Sequence, residues 1–120
     1  MLLNDFFKIT NKQKLDSYII YDINLNKNHK IYEGHFPSQP IAPGVCLAQI
    51  VKELCENHLD KELKMHSSRN MKFMNILDPT KNENVSIKIL IKEIDNVLYS
   101  VKANCHFEET IFFKIDAKYY

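Results

Sequence analysis

The run Gly34-His-Phe-Pro-Ser-Gln-Pro-Ile-Ala-Pro-Gly-Val-Cys-Leu-Ala-Gln49 contains both glycines of the chain and three of its four prolines. Two glycines in 120 residues is few, so the special backbone positions are gathered here. The prolines Pro37, Pro40 and Pro43 fix φ, and Gly34 and Gly44 leave it open. The run predicts one tightly shaped loop feeding an apolar helix. Pro43 suits the first helical position, where its missing amide costs nothing. Ala42, just before it, offers no side-chain acceptor, so the usual Ser, Thr, Asp or Asn cap is absent. The amides of Gly44, Val45 and Cys46 are then left without a local partner. Either water or a nearby backbone carbonyl satisfies them, or they hold an anion or a polarised carbonyl oxygen at the positive end of the helix.

Working outward, a helix is predicted from Pro43 to about Asn57. Val45, Cys46, Leu47, Ala48, Ile50, Val51, Leu54 and Cys55 make its first half apolar nearly all round, which predicts burial on every side. Gln49 is the only polar side chain in that half. A buried amide needs partners, either neighbouring backbone or a pocket shared with His35. Polar residues begin in earnest at Lys52 and Glu53.

Downstream of the helix, Asp60 to Ser68 reads as a polar connection with room for a short strand, and Arg69 to Met74 as a short strand. Asp78 to Asn84 is dense in turn formers. Three alternating strands follow from Val85 to Tyr119, with tight turns at Asp95-Asn96 and Glu108-Glu109. Alternation with short turns predicts an antiparallel meander. Upstream, Ser17 to Asn26 alternates as a strand and Asn26 to Lys30 is a turn, with Ile31 to Glu33 leading into the loop. Asn4 to Ile9 reads as a short helical turn, and Asn11 to Lys14 as a polar break.

Composition sets outer bounds. The chain is 45% hydrophobic and 26% charged with a formal net charge of +1, which predicts a single globular domain over residues 1–120 and gives no general pull toward nucleic acid or membrane. No apolar window is long enough to span a bilayer. Met1 to Asp5 does not open a signal peptide. Cys46, Cys55 and Cys105 form no Cys-x-x-Cys pair. On one helix the first two lie about 13 Å apart, too far for a disulfide. They read as small buried hydrophobes in a reducing, cytoplasmic setting. His29, His58, His66 and His106 read as solvated and lack metal-ligand spacing, so no metal is expected.

The run Gly34, His35, Phe36, Pro37, Pro40, Ile41, Pro43, Gly44, Val45 resembles the active-site signature of the (3R)-hydroxyacyl-acyl carrier protein dehydratases (FabZ/FabA type, hotdog fold). Asn70-Met-Lys-Phe73 with Pro79 is similar to a second segment of that family, so the resemblance spans roughly residues 17–118. It implies an α+β hotdog fold, an antiparallel sheet wrapped around one long central helix. It further implies dehydration of a (3R)-3-hydroxyacyl thioester to a trans-2-enoyl thioester, in fatty acid or polyene-type biosynthesis, with no cofactor. His35 would be the base for the α proton, and Gly44 would offer its amide to the thioester carbonyl. Phe36, Pro43 and Val45 would line the substrate beside it. The family's acidic residue falls on Gln49, a departure that bears on mechanism, because an amide does not titrate. Other departures are Ser38 for the usual glycine and Met74 and Asn75 for the arginines after Lys-Phe. The implied partners are an acyl carrier protein or coenzyme A thioester, and a homo-oligomer (dimer or trimer of dimers) or a second hotdog subunit. In such a dimer, His35 and Gln49 of one site would come from different subunits. Two other readings stay open: a non-catalytic acyl-thioester-binding subunit partnering an active dehydratase, and a hotdog thioesterase. The thioesterase needs a carboxylate near the helix, and Glu33 and Glu53 read as misplaced for it.

Overall fold

The structure is a computed structural model that describes residues 1–34 and 39–120. The chain forms six strands, four of them with the period-two alternation of apolar and polar residues. In chain order they are β1 (Phe7–Lys14), β2 (Ile19–Leu25), β3 (Met65–Phe73), β4 (Asn84–Asp95), β5 (Leu98–Phe107) and β6 (Thr110–Tyr119). Between β2 and β3 lie a single helical turn, α1 (Ile31–Gly34), and the long helix α2 (Gly44–Leu59). The strands form one sheet in the order β1-β2-β4-β5-β6-β3. Every pairing in it is antiparallel.

One face of that sheet is continuous with the core. Ile19, Tyr21, Ile23 and Leu25 of β2 are buried, and so are Val85, Ile87 and Ile89 of β4. Cross-strand register sets Ile87 opposite Cys105, and Cys105 opposite Phe113, in one row. Against this face α2 lays Ile50, Val51, Leu54 and Cys55, each fully buried. Leu54→Ala is therefore expected to cost about 2–5 kcal/mol of stability, the range for a buried leucine whose surroundings collapse only in part. Urea unfolding with the m-value held constant would check it.

Several expectations need correction. The N-terminal segment has strand at residues 7–14 where a helical turn and a polar break were expected, and β1 pairs along β2 with a bulge between Ile9 and Asn11. β3 begins at Met65, not Arg69. Pro43 is the N-cap of α2 (φ −63°, ψ 143°), one residue before the helix. The first half of α2 is not buried on every side: Val45 is 77% exposed, and Ala48 and Gln49 are half-buried. Of the histidines among the described residues, only His66 is exposed. His29 lies 3.1 Å from Asp5 Oδ2, and His106 2.8 Å from Asn104 Oδ1. His58 is half-buried, and burial, followed by the charges of Lys12 and Lys14, lowers its pKa. Among the described residues no helix is long and apolar enough to cross a membrane.

Candidate active site at the start of the long helix

The site is built from the first two turns of α2 and the end of β3. Pro43 makes no side-chain cap, and its carbonyl accepts from the amides of Cys46 (3.0 Å) and Leu47 (3.2 Å). Cys46 is thus satisfied by a nearby backbone carbonyl, the first of the two alternatives that the sequence left open. The Gly44 and Val45 amides have none among the described residues. Upstream, the Ala42 amide donates to the Leu77 carbonyl at 2.8 Å, which ties the loop to the segment after β3.

The two stretches that carried the resemblance meet here. The Phe73 ring lies over Gly44 and against Phe113, with ring centroids 5.0 Å apart. A Cβ on Gly44 would run into Cε1 and Cζ of that ring. The absent side chain at Gly44 is therefore used twice, once to leave its amide open and once to seat Phe73. Gly44→Ala is expected to displace the Phe73 ring, which is 59% exposed and free to swing outward. The expected stability loss is small, below about 1 kcal/mol, because the far end of an exposed side chain gives way first. Turnover should fall more than stability does, and a Phe73→Ala, Gly44→Ala pair should be less than additive.

A cavity of about 510 Å³ opens between α2 and β3, bounded by Gly44, Val45, Gln49, Met71, Phe73 and Tyr119. A second, of about 880 Å³, lies past Gln49, Lys52 and Glu53 and reaches Met1 and Leu63. Both are of small-ligand size, and Gln49 and Lys52 border each. Gln49 donates from Nε2 to Glu53 Oε2 at 2.9 Å. Glu53, only 3% exposed, also accepts from the Leu2 amide at 2.9 Å to each oxygen and from the Leu3 amide at 2.8 Å. Sequence reading set Glu53 aside as misplaced. Its spacing of four residues from Gln49 on one helix was the signal that could have found it.

The other groups are quiet. Cys46, Cys55 and Cys105 are free and buried, as expected. Burial raises the Cys46 thiol and pushes Cys55 and Cys105 up to about 12. At neutral pH these are thiols, not the thiolates a nucleophile or metal ligand needs. Tyr119 is fully buried, with a hydroxyl that has no partner among the described residues, and its pKa is pushed up to about 12 by burial and then by Cys55. His35 and Phe36 lie outside the described residues. Of the remaining site residues, Gly44, Val45 and Gln49 border one cavity, and Pro43 precedes them as the cap.

Comparison with known proteins bears on the family and the fold. The ApeI-like family, described as ApeI dehydratase, matches over residues 10–110. Among curated proteins, none matches. The dehydratase heterocomplex ApeI:P from Xenorhabdus doucetiae superposes with a TM-score of 0.73 at 20% identity, covering 92% of this chain and 95% of that one. An uncharacterized protein from Erwinia carotovora subsp. atroseptica gives 0.64 at 17%, covering 93% and 91%. A hypothetical thioesterase protein with coenzyme A from Streptococcus pneumoniae gives 0.66 at 8%, covering 94% and 83%. These likenesses establish the fold, an α+β hotdog with its antiparallel sheet around one long helix. Because the family match runs from β1 to the first residue of β6, most of the chain, this chain belongs to the ApeI-like family of hotdog dehydratases.

Proposed function

We propose that this chain dehydrates a (3R)-3-hydroxyacyl thioester to the trans-2-enoyl thioester and water. The observation that carries the reading is the pair of amides at Gly44 and Val45, without a partner among the described residues and beside the cavity that Gln49 borders, in a chain of a dehydratase family. His35 removes the α proton as a neutral imidazole. The C–H pair delocalises into an enolate, charging the thioester oxygen, and then returns to form the Cα=Cβ bond as the Cβ–O bond breaks. Preorganised amides at the helix N-terminus stabilise that charge. The 3-hydroxyl leaves as water with the proton His35 has taken. Gln49 holds the hydroxyl in place, and Phe36 and Pro43 complete the acyl-lining wall. The carrier is an acyl carrier protein or coenzyme A, in fatty acid or polyene-type synthesis.

The working form is a dimer, of this chain with itself or with a second hotdog subunit, in which His35 and Gln49 of one site belong to different subunits. Support comes from β3, an edge strand whose nine residues are all exposed. It carries apolar Met65, Met71 and Phe73 beside exposed Val45. An apolar patch along an open strand edge is a surface for a partner. β1, at the other edge, exposes Lys8, Lys12 and Lys14 instead.

A second reading is a non-catalytic subunit of an active dehydratase, favoured by the amide at the position of the acid. A thioesterase is disfavoured, because the carboxylate nearest the site, Glu53, is buried and fully engaged by N–H donors. Incubation with 3-hydroxyacyl thioesters on both carriers, with C=C absorbance and free thiol followed together, separates the three. Alkene supports the dehydratase and free thiol the thioesterase. No turnover on either carrier removes the stand-alone enzyme. Light scattering at several concentrations reads the oligomeric state.

A further inference from the structure

We propose that Glu53 is the positioning residue of this site: it locks the Gln49 side chain so that Oε1 is the acceptor for the substrate's 3-hydroxyl. The inference rests on the dehydratase reading above. The oxygens of Glu53 face three N–H groups, from Leu2, Leu3 and Gln49. A carboxylate so surrounded is an acceptor only. The end of the Gln49 amide that meets it must be the NH₂ group, because the flipped amide would set two oxygens 2.9 Å apart. The side chain therefore has one allowed orientation. One N–H is spent on Glu53, and Oε1 with the second N–H is left for the clefts that Gln49 borders.

Glu53 itself does not reach a substrate. It is 3% exposed, and the Leu2 and Leu3 amides, more than 49 residues away in sequence, pin both of its oxygens. It acts through Gln49. The chemical consequence is specific. An amide oxygen takes the hydroxyl by its hydrogen and leaves the hydroxyl oxygen's lone pairs open. Those lone pairs are where the proton from His35 must land for water to leave.

The test uses His35→Ala protein, in which turnover is expected to be slowed at least about a hundredfold, and titrates two ligands by calorimetry: a 3-hydroxyacyl thioester and the saturated acyl thioester without the hydroxyl. The hydroxyl should be preferred about tenfold, the size of one good hydrogen bond. Glu53→Gln should reduce the preference to about twofold, because an amide at 53 can face Gln49 with either end. Gln49→Ala should abolish it, and Glu53→Gln should then add nothing. Full preference in Glu53→Gln, or an equal loss of affinity for both ligands in the Gln49→Ala background, would overturn the proposal. Should Glu53→Gln fail to fold, the Gln49 side-chain amide in otherwise unaltered protein decides: a shifted, slowly exchanging N–H signal supports the lock, and a freely exchanging one overturns it. The dehydratase reading is judged separately, by alkene formation in the wild type. A Glu53-dependent hydroxyl preference without turnover would retain the lock and remove the enzyme.

Discussion

His35→Ala is expected to slow enoyl thioester formation by at least about 10²–10⁴-fold, the usual worth of a positioned acid–base group. The loss should sit at the high end. In the proposed mechanism Gln49 cannot titrate and His35 is assigned both the removal of the α proton and its return to the leaving hydroxide, so one substitution is expected to remove two proton transfers. Affinity for a saturated acyl thioester should change little, because the imidazole contributes to the reaction rather than to holding the chain. Stopped-flow absorbance for the rate, with calorimetry for binding, would check both halves. A His35→Ala protein that retains more than a tenth of the wild-type rate would take the base away from His35 altogether.

Gln49→Glu should have the second-largest effect, and pH should govern it. The new carboxyl would stand where the amide nitrogen now lies, 2.9 Å from Glu53 Oε2. Two carboxylates that close do not both ionise, so the pair shares a proton and its upper titration moves well above the ordinary range near 4.3. The sign follows. A carboxyl whose folded-state pKa is raised stabilises the fold below the unfolded value, and that contribution is lost as pH rises through the folded one. Each unit of upward shift corresponds to about 1.4 kcal/mol. The variant should unfold more easily than wild type in alkaline buffer and approach wild type near pH 5. Its shared proton is also a general acid, so dehydration should be faster than wild type at pH 6, with the gain gone by pH 9. Urea unfolding and initial rates across that range would measure both. A flat pH profile in each would mean that the two side chains do not meet.

What could be read from residue order was whatever repeats locally. The loop and helix signature over Gly34 to Gln49 and the strict alternation from Val85 to Tyr119 led to the hotdog arrangement, and α2 and β4 to β6 stand where they were expected. β1 escaped notice because its alternation ends at Ile9, where the bulge lies, and Asn11 to Lys14 are all polar. The first residues of β3 escaped for the same reason, being polar and broken by two bulges. Val45 was expected to be buried because an apolar residue on an apolar helix normally is. In a single chain it faces outward, beside the exposed edge strand β3. Glu53 was hidden for a different reason. Its burial is offset by donors from Leu2 and Leu3, a contact across about half the chain that no window around α2 contains.

That last contact is made entirely by main chain on one side. Leu2 and Leu3 give Glu53 their backbone N–H groups, which every residue except proline possesses. The donors themselves therefore ask nothing of the side chains at positions 2 and 3, which pack against the core instead. The matched family region begins only at residue 10, so the two donors lie outside it while Glu53 lies within. A comparison of side chains across relatives would pass over the clamp, since what holds Glu53 leaves almost no trace in the choice of amino acid. Its one sequence signature is an exclusion: proline at either position deletes a donor and sets the carboxylate loose beneath Gln49.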